Sequence, residues 1–243
     1  MNIALESAMA CDVLTRCSEV TSMMIDSNQT LGHVAAEHPA STLVFLRHRL
    51  DFCCGGGQRL GDACRHVGLD PAAVIQEIEA EGATRSPERW DTKPLPELID
   101  FIVSEYHEGL REDLPALVEA ARRVERVHGK KASCPQGLAT LLTQLADELS
   151  QHMAKEEQVL FPAIRGGRRG APVHMPVRVM MQEHDDHGEN LRRMRELATG
   201  YVPPPEACAT WRALYAGLEK LEAELMEHIH LENNVLFPRA LNG

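Results

Sequence analysis

The sequence predicts an all-α protein with two parts: a small helical N-terminal domain and an up-down-up-down four-helix bundle. Three observations carry this. Apolar residues recur at three- and four-residue steps over four long segments, the period of one helix face. Aromatics make up only 4% of the chain, while the helix formers Leu, Ala, Glu and Arg are abundant. A pattern also occurs twice: His152-xxx-Glu156 is followed after three residues by Leu160-Phe161-Pro162, and His228-xxx-Glu232 by Leu236-Phe237-Pro238. The offset is 228 − 152 = 76, and 232 − 156 gives the same 76.

The chain has 243 residues, enough for one large or two small domains. Residues 1–26 are read as an N-terminal extension with weak periodicity, containing Cys11 and Cys17. Ala8-Met9-Ala10 resembles a processing site, but no basic stretch precedes it and Glu6 interrupts the apolar run, so no secretory signal is expected. Residues 27–81 read as a small helical domain that starts at an N-cap, Thr30, and is broken at Pro39, Gly55-Gly56-Gly57, Gly61 and Gly68. Residues 82–94, polar with Gly and two Pro, form a linker.

The bundle occupies 95–243. Its first stripe is Ile99, Val103, His107, Leu110, Leu114, Leu117 and Ala121, with Pro115 expected to kink the helix. The second is Leu138, Leu142, Leu145, Leu149, His152, Glu156 and Val159, ending at Pro162. The third is Val173, Val177, Met180, His184, Leu191 and Met194. The fourth is Trp211, Leu214, Leu218, Leu221, Leu225, His228, Glu232 and Val235, stopping near Pro238. Short connections favour antiparallel neighbours.

One further His precedes each copy of the repeat: His107 lies 45 residues before His152, and His184 lies 44 before His228. Four His and two Glu thus sit on apolar stripes. A single His on such a face is usually a hydrogen-bonded core residue. A carboxylate buried twice, each four residues after a His, is different, because an unpaired buried carboxylate costs several kcal/mol. The i,i+4 spacing sets His and Glu side by side. The expected site is therefore a two-metal centre with His107, His152, Glu156, His184, His228 and Glu232 as ligands and the two Glu as bridges. Imidazole and carboxylate without thiolate suit iron, manganese or zinc. Which His pair serves which ion stays open at this point. His187 is close enough in sequence to reach the same stripe, and His230 points away from it; both read as outer-layer or surface residues. Glu157 and Glu183 read either as supports for ligands or as solvated helix faces.

Cys53 and Cys54 stand in Asp51-Phe52-Cys53-Cys54-Gly55-Gly56-Gly57, with Arg47, Arg49 and Arg59 nearby to favour thiolates. A reactive or metal-binding role competes with one buried Cys beside a chance neighbour. Seven cysteines without a CxxC pair argue against a disulfide framework and for a reduced, cytoplasmic setting. The net charge of 25 − 36 = −11 argues against nucleic acid or an anionic membrane surface as a partner. No apolar run approaches the roughly 20 residues of a membrane span.

The ligand pattern resembles the hemerythrin-like family. The segment TLGHVAAEHPASTLVFLRHRLDFCCGGG resembles the small domain that precedes such a bundle in the iron–sulfur cluster repair di-iron proteins, the RIC or YtfE/ScdA/DnrN group. The resemblance covers about residues 27–243. It implies two non-haem irons per chain with carboxylate and oxo or hydroxo bridges, and repair of iron–sulfur proteins damaged by nitric oxide or peroxide. It further implies a cytoplasmic and often dimeric protein, with Cys53 and Cys54 as the family's paired cysteines in transfer or docking. Alternatives are a reductase of nitric oxide or peroxide, a sensor or carrier of O2 or nitric oxide, and a metal-free structural helical protein. Oxygen carriers of the family use a fifth His, and the pattern here supplies four. That counts against oxygen transport unless His187 or His230 takes the place.

Overall fold

A computed structural model describes residues 24–85 and 87–242. The extension, with Cys11 and Cys17, lies outside the described residues except for its last three. Among the described residues there is no strand, only one isolated bridge between Thr30 and Arg59.

In the small domain α1 (Leu31–Glu37) starts at Thr30, whose Oγ1 accepts from the backbone N–H of His33 at 3.3 Å. Pro39 separates it from α2 (Ser41–His48). The loop 49–59 then leads to α3 (Leu60–His66). Gly61 does not break a helix; it is the second residue of α3. Its N–H donates to the Ser27 carbonyl at 2.8 Å, and a Cβ there would lie 3.1 Å from that oxygen. Close approach, not helix termination, is what this glycine supplies. Gly68, at φ 76°, does end α3's turn. Asp70 caps α4 (Pro71–Thr84) by accepting from Ala72 N–H at 3.1 Å, with Pro71 in the first turn.

Past a short 3-10 turn at Trp90–Thr92 come four long helices. The first is α5 (Leu95–Phe101), a wide π-helical stretch at 102–107, and α6 (Glu108–His128). The second is α7 (Leu138–Lys155), a π stretch at 156–160, and α8 (Phe161–Arg165). The third, α9 (Ala171–Leu197), is α-helical throughout. The fourth is α10 (Ala209–His230), a π stretch at 231–236, and α11 (Phe237–Asn242). Neighbours in sequence pack as neighbours in space, and the first and fourth close the ring, giving the expected antiparallel bundle.

The π stretches overturn four expectations. Each holds one residue more per turn than an α-helix, so the inward face shifts. Val159 is therefore 59% exposed and Leu160 points inward; likewise Val103 is only half-buried, between buried Ile102 and Tyr106. Pro162 and Pro238 do not end their helices. Each falls in the first turn of a new α segment, where a missing N–H matters little because the wide turn has already interrupted the regular ladder. Pro115 lies on the exposed side of α6, which runs on through it. The carbonyl it leaves unpaired can face water.

The core forms two apolar layers. One joins Phe45 and Phe52 of the small domain to Leu142, Trp211, Leu218 and Leu225 of the bundle. The other packs Leu98, Ile102, Phe161 and Phe237 at the opposite end. Burying each such side chain contributes roughly 1.5–3 kcal/mol. The His and Glu side chains lie in the gap between these layers.

Candidate metal centre

All six expected ligands are at most 1% exposed. His107 closes the first π stretch, Glu156 opens the second and Glu232 is the second residue of the third. His152, His184 and His228 project from α7, α9 and α10. The wide turns set Glu156 and Glu232 at the level of the four imidazoles, a common use of a π turn at a functional site.

The side chains form two groups that share both carboxylates. His107 and His228 meet Nε2 to Nε2 at 3.2 Å, and His152 and His184 at 3.1 Å. Glu156 Oε2 lies 3.4 Å from His107 Nε2 and 3.5 Å from His152 Nε2. Glu232 Oε2 lies 3.1 Å from His184 Nε2, and its Oε1 3.2 Å from His228 Nε2. Within each group of two His and two Glu, one donor atom per residue falls within 4.8 Å of the others. The His pairs thus cross the duplicated halves: each takes one His from either copy.

The electrostatics call for cations. All four carboxylate oxygens of Glu156 and Glu232 are buried without a hydrogen-bond partner. Burial, and then the neighbouring Glu232, push Glu156 well above the usual carboxylate range. Glu232 suffers the same burial, but His228 and His184 beside it hold it below that range. Burial, and then His228, lower His107 to about 4. Burial, and then His184, lower His152 to about 2. So lowered, His107 and His152 are kept as neutral imidazoles, the form that ligates metal, and an ion would displace the proton that burial keeps on Glu156. Two divalent ions placed between them would satisfy every orphaned oxygen, so the donor set fits a dinuclear cation site.

Outer residues fix the rings. Glu157 Oε1 faces His107 Nδ1 at 2.7 Å and accepts from Arg111 at 2.5 Å. Glu183 Oε2 faces His152 Nδ1 at 2.9 Å, and its other oxygen accepts from Lys155. Both therefore support ligands rather than merely facing solvent. Asn233 Oδ1 holds His184 Nδ1 at 2.7 Å. His228 Nδ1 has no partner; Tyr106 stacks on that ring at 5.4 Å and sends its hydroxyl toward Glu227 at 3.5 Å. Asn233 and Tyr106 were not singled out from the sequence. Asn233 was findable: 233 − 157 = 76, the repeat offset, makes it the counterpart of Glu157.

His187 is buried with its ring 5.0 Å from His152, yet belongs to neither ligand group. His230 does point away from the centre, but it is no surface residue. It is 3% exposed, packs edge-on against Phe52 at 5.5 Å and meets Asn234 at 3.0 Å. The small domain covers this face of α10, which helix periodicity alone does not reveal.

Cys53 is buried and Cys54 half-buried, and the five described cysteines are free thiols. The loop bearing the pair lies on the bundle beside the centre. Cys54 Sγ donates to the His184 carbonyl at 3.1 Å, and Asn233 Nδ2 donates to the Cys53 carbonyl at 3.4 Å. Asn234 donates to the Phe52 carbonyl at 3.1 Å.

Fold and site together define a helical bundle whose buried His and carboxylates could hold metal ions, with a thiol-bearing domain against it. Residues 98–240 match the hemerythrin HHE cation binding domain, and residues 27–81 match ScdA_N, described as a domain of unknown function. The chain belongs to the hemerythrin HHE family, as a member with a ScdA_N domain ahead of the bundle. It is 49% identical over 217 residues to the iron-sulfur cluster repair protein YtfE of Yersinia pseudotuberculosis serotype IB (strain PB1/+). The YtfE protein of Yersinia pestis (strain Pestoides F) is equally similar. Each match covers 89% of this chain and 98% of the relative. No helix among the described residues is long and apolar enough to cross a membrane.

Proposed function

We propose that this protein repairs iron–sulfur clusters damaged by nitric oxide or peroxide, using two non-haem irons per chain. The observation that carries this is the pair of buried, hydrogen-bond-less carboxylates, Glu156 and Glu232, each between two buried His. The similarity to proteins named for iron-sulfur cluster repair supports the choice of iron and of task. His107 and His228 would hold one ion, His152 and His184 the other, and both Glu would bridge. Such ions supply electron transfer and exchangeable coordination positions. The chain supplies the rest. Glu157, Glu183 and Asn233 set the tautomer and angle of three rings, so that each Nε2 is free to bind. The two apolar layers keep bulk water from the carboxylates. Cys54 meets the His184 backbone from the small domain with Cys53 beside it, and the pair would serve transfer or docking. The clients would be damaged iron–sulfur proteins of the cytoplasm, a setting consistent with free thiols. The small domain is the surface through which two chains would pair.

The test has two parts. Elemental analysis and Mössbauer spectroscopy should find two coupled irons per chain, lost in Glu156→Ala. The iron-loaded protein should then restore activity to a nitrosylated [4Fe–4S] dehydratase such as aconitase. Zinc in place of iron, or no restoration by the loaded protein, would sink the proposal. Steady turnover of nitric oxide or peroxide with an electron donor would instead make the protein a reductase.

A further inference from the structure

The loop after α2 holds a second set of ligand-type side chains, outside the His/Glu centre. We infer that Asp51, Cys53 and Cys54 form a binding site for one thiophilic divalent cation.

The geometry is that of a chelate. Two thiolates each about 2.3 Å from one tetrahedral ion stand about 3.8 Å apart. Cys53 and Cys54 Sγ lie 3.7 Å apart. Asp51 Oδ1 lies 3.3 Å from Cys53 Sγ, and one donor atom from each of the three residues falls within 4.8 Å of the others. Two sulfurs and one oxygen suit ferrous iron or zinc better than magnesium or calcium.

The donors are held in place by the fold. Asp51 Oδ1 accepts from the backbone N–H groups of Cys54 at 3.0 Å and Gly55 at 2.9 Å, so the loop is wound around the carboxylate. A Cβ at Gly55 would come within 2.8 Å of the Asp51 carbonyl oxygen, which keeps that winding specific to glycine. On the far side Cys54 Sγ rests on α9 at Gly188, where a Cβ would stand 3.0 Å from the sulfur. No rearrangement is needed to bring the three together.

The site also has an opening. Asp51 and Cys53 line a cavity of about 350 Å³ between the loop, α9 and α10. Three protein donors would leave a tetrahedral ion one position for water or a small ligand, and the cavity beside Asp51 and Cys53 gives it access.

The charges balance. The hydrogen bond that Cys53 gives to Cys54, and then burial, hold the Cys53 thiol well above its usual range. A divalent ion displaces the proton that Cys53 shares with Asp51 and the one that Cys54 gives to the His184 carbonyl. Two protons leave for each ion. Two thiolates and one carboxylate around a doubly charged cation leave one negative charge. Arg192, 3.7 Å from Asp51 Oδ2, offsets it.

The position gives the site a use. Its two cysteines touch the backbone of His184 and the amide of Asn233, so an ion here sits beside the dinuclear centre. If iron moves between client and centre, this is a staging point on its way. That use rests on the repair reading; the site itself does not.

The experiment uses full-length, iron-loaded protein under anaerobic conditions with a thiol-free reductant, and Co2+ as the probe. One Co2+ per chain should bind with a thiolate-to-cobalt charge-transfer band and release of two protons, while the iron content stays unchanged. The band should vanish in Cys53→Ser and in Cys54→Ser. Asp51→Asn keeps an oxygen acceptor for the loop and should weaken cobalt binding about tenfold or more. Absence of the band in the wild type, its survival in either serine variant, or unchanged affinity in Asp51→Asn overturns the site. Circular dichroism of each variant confirms that the fold is intact, and Asp51→Asn stands as the test should a serine variant unfold. A failed aconitase restoration leaves this readout untouched, so the two proposals fail separately.

Discussion

Glu157 and Asn233 occupy the same position in the two halves, and each holds the Nδ1 of the single His that precedes its repeat unit. Glu157 meets His107 at 2.7 Å, and Asn233 meets His184 at 2.7 Å. One partner is a carboxylate anchored by Arg111; the other is an amide anchored to the Cys53 carbonyl. The duplication keeps the geometry and changes the chemistry. Glu157→Gln should weaken metal binding about 10–100-fold, the usual cost of losing such a support. Asn233→Ala should weaken it comparably and also loosen the Cys53 loop. Chelator competition measures the first effect in both variants. Tryptic cleavage of the linker should quicken only in Asn233→Ala.

Glu156 should trade stability for metal. Buried with no partner beside a second carboxylate, it is destabilising until an ion binds. After chelator treatment, Glu156→Leu should be more stable than the wild type by about 1–3 kcal/mol in urea unfolding. The same variant should fail to hold two irons. A metal-free Glu156→Leu less stable than metal-free wild type would refute the idea that the carboxylate is kept for binding alone.

His230 predicts a pH dependence. Burial lowers it to about 4, against about 6.5 for an exposed imidazole. Between those values the unfolded chain binds the proton and the folded chain does not. Stability therefore rises with pH through this window and is lost as pH falls from about 6.5 toward 4. The contribution is on the order of 3 kcal/mol. Since Glu156, with its raised value, acts in the opposite sense, the useful quantity is a difference. Chelator-treated His230→Asn should lose less stability than chelator-treated wild type between pH 7 and 5.

Gly32 controls how the small domain is seated. A Cβ there would stand 2.1 Å from Oδ1 of Asn234, the residue that holds the Phe52 carbonyl. Gly32→Ala should displace Asn234 at a cost of about 1–3 kcal/mol. Hydrogen exchange in the loop 51–57 should accelerate, with two irons retained in the bundle.

Much of this was legible in the sequence, and the failures have causes. Leu142, Leu145 and Leu149, like Trp211, Leu214 and Leu218, stand where the 3.6-residue period puts them. The six buried His and Glu stood out because duplication of a costly feature is hard to attribute to packing. Val159 and Val103 were misplaced because a π turn leaves no mark in the period. The crossed pairing of His107 with His228 depends on which helices are neighbours in the ring, and His230 on what the small domain covers. Neither relation is local in sequence.

A domain present once, laid on a bundle built from two similar halves, makes a polar object out of a nearly two-fold one. A displacement of the loop 51–57 reaches His184 through the hydrogen bonds at Cys54 and Asn233. It reaches His107 through none of the hydrogen bonds described, since Glu157 is tied instead to the solvent-facing Arg111. The two ends of the centre are thus tied differently: one to the docked small domain, the other to the bundle's own surface.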